Sequence, residues 1–155
     1  MERSQLNEIY RELDAKARDI GRTLHCPVGY YNGHYRKNES GEYEKDYYPI
    51  PEVTVKGLCD IEIGLDEISV TTKLTKDQAL SYDYEKIKAY AFEAYGVEDY
   101  LNDFYTDGST IEEMIENIKK SDEEHIGFCF SFSFEVGSDT VCDFVELLKK
   151  EGFFY

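Results

Sequence analysis

The stretch Ile126-Gly-Phe-Cys-Phe-Ser-Phe-Ser-Phe-Glu135 gives the strongest structural signal in this 155-residue chain. Every second residue from Ile126 to Phe134 is large and apolar, and the residues between them are small or polar. Because successive side chains of a strand point to opposite faces, this alternation predicts a β-strand with one apolar face. Burying one large apolar side chain stabilises a fold by roughly 1.5–3 kcal/mol, so we expect Phe128 to Phe134 to lie in the core. A platform for ligand stacking is the alternative function of this row of rings.

The composition is that of one acidic globular domain spanning residues 1–155. Nine phenylalanines and fourteen tyrosines supply ample apolar surface for a core, and 155 residues suit a single domain. Seventeen basic residues against 33 acidic residues give a net charge of −16. This charge disfavours nucleic acid and anionic membranes as partners, because both carry negative charge. A basic protein, a cation, a second copy in a homodimer or no partner at all remain open.

The ends and the cysteines indicate a cytoplasmic protein. No window approaches the roughly 18 apolar residues of a membrane span, and residues 1–8 lack the apolar segment of a signal peptide. Four cysteines are widely spaced within apolar patterns: Cys26, Cys59, Cys129 and Cys142. Reduced, mostly buried thiols are the simplest account of them.

The first quarter of the chain predicts a helix followed by a tyrosine-rich segment. Apolar residues at three- and four-residue steps predict an amphipathic helix over residues 4–24, with Ser4 as N-cap and Pro27 beyond its end. Residues 27–51 then carry six tyrosines interrupted by turn formers, which suits a short irregular hairpin or an excursion over the surface. Its rings either cover the core edge or form a contact surface, because tyrosine combines a large ring with a polar tip.

A hairpin is predicted next. Alternating apolar residues over 53–63 and 68–74 pair best when a turn at 64–67 places Ile61 opposite Val70. Glu62 is then expected on the other face. Gly57-Leu58 interrupts the first arm and is interpreted as a β-bulge.

For the second half of the chain we predict two or three helices, then the strand of residues 126–135, here called the Phe strand, and a last helix. A capping box at Thr75–Gln78 starts the first helix, which is either continuous or broken near residues 81–83, and Gly96 ends it. Residues 97–105 are interpreted as a short helix, and Ser109 with Glu112 as the capping box of the next. After the Phe strand, Gly137-Ser138 leads into the last helix, and the apolar tail 153–155 docks on its own core or on a partner.

These elements predict an α+β fold with a small antiparallel or mixed sheet of 3–5 strands and helices packed on one face. The Phe strand follows a long helical crossover, so its direction relative to the hairpin arms is left open by the sequence.

No motif for catalysis, metal binding or cofactor binding is present. His125 and Cys129 lie some 13 Å apart along one strand, and Asp103–Gly108 lacks the oxygen ligands of a calcium loop. Gly-rich phosphate loops and Gly-x-Ser-x-Gly are absent, and three histidines leave few bases for a triad. We therefore predict no catalytic, cofactor or metal residue.

The acidic segment 93–124 is the main functional candidate. It holds eleven acidic residues against Lys119 and Lys120. One interpretation is a solvated helical face. The other is a docking surface for a basic protein, since its tyrosines offer aromatic anchors ringed by charge. The candidate protein-contact residues are Glu98, Asp99, Tyr100, Asp103, Tyr105, Asp107, Glu112, Glu113, Glu116, Tyr30, Tyr31 and Tyr35.

The sequence thus predicts an acidic protein-binding domain. Small acidic inhibitors and toxin-immunity proteins share its size and charge, which is an analogy of composition alone. The alternative is a small cytosolic enzyme or ligand-sensing domain without a recognisable catalytic motif.

Overall fold

A computed structural model of the chain describes residues 3–37, 40, 43–64, 67–97, 99–102 and 110–154. The helices are α1 (Arg3–Leu24), α2 (Lys76–Ser81), α3 (Tyr84–Tyr95), α4 (Ile111–Lys120) and α5 (Ser138–Lys150). The strands are β1 (Val28–Lys37), β2 (Tyr43–Val55), β3 (Cys59–Ile63), β4 (Glu67–Thr75), β5 (Asp99–Asn102) and β6 (His125–Ser133). They form one sheet in the order β1-β2-β3-β4-β6-β5, and every neighbouring pair is antiparallel. The α+β class with an antiparallel sheet is therefore confirmed.

The Phe strand is β6, and its apolar face is core, as predicted. Phe130 is only 1% exposed, and Phe128 and Phe132 are fully buried. The ring of Phe144 on α5 packs edge-on against Phe130 and Phe132, with centroids 4.9 and 5.3 Å apart. Phe134 follows the end of the strand and is half-buried, so the prediction of a core position is too strong for it. The covered rings leave the stacking-platform alternative without an accessible surface.

The predicted register of the β3–β4 hairpin is confirmed. Ile61 lies opposite Val70 and Ile63 opposite Ile68, while Glu62 lies on the other face opposite Ser69. The turn residues 65 and 66 lie outside the described residues.

The predicted bulge at Gly57-Leu58 is wrong. Residues 56–58 form a tight turn that separates β2 from β3, which pair antiparallel with Val55 opposite Cys59. A positive φ of 78° at Gly57 permits this turn. The sequence pattern continues unbroken because both strands bury the same face, so alternation alone does not reveal the reversal.

Helix α2 begins as predicted. Thr75 accepts a hydrogen bond from the Gln78 backbone, and the Gln78 side chain accepts from the Thr75 backbone, so both halves of the capping box are formed. The chain breaks between Ser81 and Tyr84, and Gly96 ends α3 in the left-handed conformation.

Two predicted caps are wrong. The N-cap of α4 is Thr110, whose hydroxyl accepts from the Glu113 backbone N–H at 3.1 Å, and Ser109 lies outside the described residues. The sequence matches the capping-box pattern at two adjacent positions, because Ser109 and Thr110 are each followed three residues later by glutamate. Helix α1 already begins at Arg3, so Ser4 lies inside the helix and is not its cap.

The segment predicted as a short helix over 97–105 contains a strand instead. Asp99–Asn102 is β5 and pairs with β6, with Tyr100 opposite Phe130. Pairing with a half-open sheet edge overrides a weak local helical pattern. This strand gives the sheet its sixth member.

The tyrosine-rich segment 27–51 forms an irregular hairpin, one of the two predicted forms. Strands β1 and β2 pair from Val28–Val53 to Lys37–Tyr43, with a register shift between Gly33 and Tyr35. The tail docks on its own core, because Phe153 stacks on Tyr82 with ring centroids 4.4 Å apart.

Candidate functional surface

The two faces of the sheet differ completely in their surroundings. The sheet residues in the hydrophobic core all belong to one face: Val53, Val55, Cys59, Ile61, Ile63, Ile68, Val70, Leu74, Ile126, Phe128, Phe130 and Phe132. The helices pack on this covered face, since their buried residues join the same core cluster. The opposite face is here called the open face. Among the residues whose side chains are described, it carries Gly29, Ile50, Glu52, Thr54, Asp60, Glu62, Glu67, Ser69, Thr71, Lys73, Gly127, Cys129, Ser131 and Ser133.

Three carboxylates meet on the open face where β2 and β3 pair. Glu52 lies directly opposite Glu62, and Asp60 is the next residue of β3 on the same face. We call these three residues the carboxylate cluster. All three are half-buried, and Thr54 donates a hydrogen bond to Glu52 Oε1 at 3.2 Å. Like charges placed directly opposite across two strands destabilise the pair, so this arrangement opposes folding.

The electrostatics of the cluster follow from this crowding. Burial raises the pKa of Glu52 above its usual value, and the neighbouring charges of Asp60 and Glu62 raise it further, while the Thr54 hydrogen bond lowers it. No ion pair to these three carboxylates is formed by the described side chains. The cluster therefore presents negative charge that the described part of the protein leaves uncompensated.

Helix α4 carries the described part of the predicted acidic docking segment. Glu112, Glu113 and Glu116 are exposed, while Met114 and Ile118 anchor the helix in the core. Glu116 pairs with Lys119 at 3.3 Å. Glu112 and Glu113 lie in the first turn, where negative charge stabilises a helix by interacting with its dipole.

The other end of α4 is fixed by a lysine. Lys76 Nζ donates to the backbone oxygens of Lys119 and Ser121 at 2.8 and 2.9 Å. Beyond this end, residues 122–124 are exposed acids. A ten-residue helix is about 15 Å long, so the acids of the first turn and those of 122–124 form two separate groups.

The tyrosine candidates lie on β1. Tyr30 is 52% exposed, and its hydroxyl donates a hydrogen bond to the Asp14 carboxylate of α1. This hydrogen bond is the main reason why the pKa of Tyr30 is raised. Tyr31 and Tyr35 lie opposite Ile50 and Lys45 in the β1–β2 register. Strand β1 forms one edge of the sheet and β5 forms the other, so the structure does not bring these tyrosines together with Asp99 and Tyr100.

The remaining candidates lie on or near β5. Asp99 and Tyr100 lie on this strand, opposite Ser131 and Phe130. Four further candidates lie outside the described residues: Glu98, Asp103, Tyr105 and Asp107. The prediction that these residues contact a partner stays a prediction.

The four cysteines are free thiols, and burial makes two of them unreactive. Burial raises the pKa of Cys59 to about 12 and that of Cys142 to about 11. Because the thiolate is the nucleophile and metal ligand, both side chains are inert at neutral pH. Within the described ranges, no group of three or more His, Cys, Asp and Glu residues is arranged to hold a metal ion.

Sequence reasoning missed the carboxylate cluster. The signal is present, because Glu52, Asp60 and Glu62 occupy alternate positions between buried residues. If residues 53–63 were one bulged strand, as predicted, Glu52 and Glu62 would lie at opposite ends of it. Only the turn at 56–58 brings the two side by side.

None of the helices in the described part of the chain combines the length and apolar character that a membrane crossing requires.

Comparisons with known proteins identify a family and a fold. Residues 8–143 match the family described as "Protein of unknown function (DUF3201)", and the chain belongs to this family. A solved structure of a conserved hypothetical protein from Pyrococcus furiosus is similar at 19% sequence identity, with a TM-score of 0.64. The similarity covers 97% of this chain and 98% of that one, so it shows the same fold over the whole length. No curated protein matches the chain.

Proposed function

We propose that this member of the family is an acidic protein-binding domain that docks a basic protein partner. The observation that carries the proposal is the outward side of α4, where Glu112, Glu113 and Glu116 are exposed together. An inhibitor or an immunity-type protein is the more specific form of this function. The four free thiols support a reducing cytoplasmic location.

Two features of α4 favour a docking role. The helix is held at both ends, by the Thr110 cap and by Lys76, so its acidic side chains project from a fixed backbone. Apart from Glu116, which pairs with Lys119, these acids have no ion pair among the described residues. A fixed, uncompensated negative surface accelerates association with a basic partner and makes binding sensitive to salt.

The alternative explanation of these acidic residues involves helix α4 alone. Acids in a first helical turn stabilise the helix, so Glu112 and Glu113 have a structural role without any partner. The test must therefore separate loss of docking from loss of helix stability. Glutamine is the appropriate replacement, because lysine in the first turn would oppose the helix dipole.

The experiment compares two variants with the same change in charge. E112Q/E113Q/E116Q removes three acids from α4, and E8Q/E12Q/D19N removes three exposed acids from α1 as the matched control. The immobilised chain is used to capture partners from its source cells, and each captured protein is then purified and its affinity for parent and variants is measured. Circular dichroism verifies that both variants keep their helices.

We expect to capture a basic partner that binds the α4 variant at least tenfold more weakly than the parent. Its affinity for the parent should also fall as the salt concentration rises. The control variant should bind within about twofold of the parent, since a net-charge effect alone is shared by both. Equal affinity of the parent and the α4 variant would leave α4 as an ordinary solvated face.

A further inference from the structure

We infer that strand β1 is an interface at which two copies of this chain pair edge to edge, so that their sheets join into one continuous antiparallel sheet. The occupant of the edge is a second copy, paired through its own β1. The inference is independent of the proposed function, because β1 lies at one end of the sheet. Helix α4 contacts α2, which packs on β4 and β6 towards the other end.

The two edges of the sheet differ in length. Strand β5 spans four residues, and such short edge strands are one way in which natural sheets avoid unwanted pairing. Strand β1 spans ten residues, contains no proline, and pairs only with β2 among the described strands. The register shift between Gly33 and Tyr35 leaves residues 28–33 as its regular part. This part presents a row of backbone donors and acceptors to another strand.

Two prolines of β2 show which backbone groups of β1 point outward. Tyr30 lies opposite Pro51, and Asn32 lies opposite Pro49. Opposite residues of an antiparallel pair alternate between those that exchange hydrogen bonds and those that do not, and proline has no N–H to exchange. The N–H and C=O groups of Tyr30 and Asn32 therefore point away from β2. They are directed at the edge with the two-residue spacing that an added antiparallel strand requires.

The side chain of Tyr30 provides an aromatic anchor at this edge. More than half of it is exposed, and its hydroxyl donates a hydrogen bond to the Asp14 carboxylate of α1. Asp14 also pairs with Arg18 at 2.8 Å, so the ring is held in place before a partner binds. An exposed tyrosine with a fixed polar tip is typical of the residues that carry the binding energy of protein interfaces.

The helical layers leave room for a second copy. A twofold axis perpendicular to the sheet places both layers on the same side of the joined sheet. Helix α1 packs mainly on β2, one strand in from the edge, so two copies of α1 would run about 14 Å apart. Directly packed helices lie about 8–10 Å apart, so the gap accommodates the two Tyr30 rings. A lone extended peptide supplies the backbone pairing but neither the second ring nor the second helix that cover Tyr30.

The distribution of charge also favours this side of the chain for self-association. Residues 1–37 hold 7 of the 17 basic residues but only 5 of the 33 acidic residues, so two copies meet where each is least acidic. Their β5 edges would lie about 50 Å apart across the joined sheet. This separation is several times the Debye length of about 10 Å, so the acidic ends repel each other little.

The test is sedimentation velocity of the full chain over a range of protein and salt concentrations. We expect a reversible dimer whose affinity stays constant or rises with salt, because salt screens the repulsion between two chains of net charge −16. Docking of a basic protein on α4 should weaken with salt, so the sign of the salt dependence distinguishes the two interactions. A chain that stays monomeric throughout, or a dimer that weakens as salt rises, would overturn the inference.

Three variants locate the interface. Asn32→Pro removes an outward N–H, and Tyr30→Ala removes the anchor ring, so each should weaken the dimer at least tenfold. Phe154→Ala is the matched control, since it removes the other exposed aromatic ring, and it should leave the affinity within twofold. Circular dichroism verifies the fold of each variant. Equal weakening by Tyr30→Ala and Phe154→Ala would overturn the inference.

Hydrogen exchange of the parent chain tests the same edge without any substitution. The amides of Tyr30 and Asn32 should exchange more slowly at protein concentrations at which the dimer forms than at those at which the chain is monomeric. The amide of Leu148, inside α5, serves as the reference and should not respond to concentration. Exchange at Tyr30 and Asn32 that is independent of concentration would show that any dimer uses another surface, and would overturn the inference.

Discussion

The covered and open faces of this sheet are built from alternate residues of the same strands, yet they obey different constraints. On β3 the covered positions are Cys59, Ile61 and Ile63, all buried, and the open positions are Asp60 and Glu62. The covered face fixes the register, because a shift by one residue would bring both acids into the core. The open face has no such role in register, and for this reason it is available to carry repelling charges.

Thiol chemistry gives the largest expected difference between the two faces. Cys59 lies on the covered face with a pKa of about 12, and Cys129 lies half-buried on the open face. Because the thiolate reacts, Cys59 in the native protein should be alkylated on the order of a thousandfold more slowly than in urea. Cys129 should react without unfolding. Alkylation with N-ethylmaleimide followed by peptide mass spectrometry measures both rates, and rapid native labelling of Cys59 would contradict its placement.

Core truncation gives the next largest effect. Phe130→Ala removes a ring packed on Phe144 and should lower the free energy of unfolding by about 3–5 kcal/mol. The matched variant is Thr71→Ala, on the exposed side of the adjacent strand, which should change it by no more than about 0.5 kcal/mol. Urea denaturation followed by circular dichroism measures both. Similar losses in the two variants would mean that the open face is also covered.

Two glycines test how tightly helix α1 packs against the residues that follow it and against the sheet. A Cβ at Gly21 on α1 would lie 2.8 Å from the backbone oxygen of Cys26, whereas one at Gly29 on the open face meets nothing nearer than 3.9 Å. Gly21→Ala should therefore destabilise the protein by about 1–3 kcal/mol. Gly29→Ala should be neutral or slightly stabilising, because alanine loses less backbone entropy on folding. Thermal unfolding measures the stability of both variants. A Gly21→Ala variant as stable as the parent would contradict the close packing of α1.

The smallest effect concerns the carboxylate cluster itself. The raised pKa of Glu52 means that its ionised form is disfavoured in the folded state, so the cost is fully present above the folded pKa and vanishes below the usual value of 4.5. Glu52→Gln should therefore stabilise the protein at pH 7 by no more than about 0.5 kcal/mol. The gain should disappear as the pH falls through this range. Thermal unfolding at pH 7 and pH 4 measures it, and a destabilised variant at pH 7 would show that the Thr54 hydrogen bond outweighs the repulsion.

Strong local signals predicted most of the fold and none of the open-face cluster. The Phe strand, the register of Ile61 and Val70, and the capping box at Thr75 were each predicted from neighbouring residues. The turn at 56–58 and the strand β5 were missed, because each depends on pairing with residues far along the chain. The cluster depends on that same turn. Its members looked like ordinary surface acids in a chain that has 33 of them.

The sequence by itself determined which residues are buried, through alternation in the strands and three- and four-residue steps in the helices. It also determined the acidic character of the surface. Only the tertiary structure decided which surface acids become neighbours, since Glu52 and Glu62 meet through antiparallel pairing of β2 and β3. The physical reason is that burial is imposed residue by residue by the apolar side chains, whereas proximity across strands is imposed by backbone hydrogen bonding that all residue types except proline share.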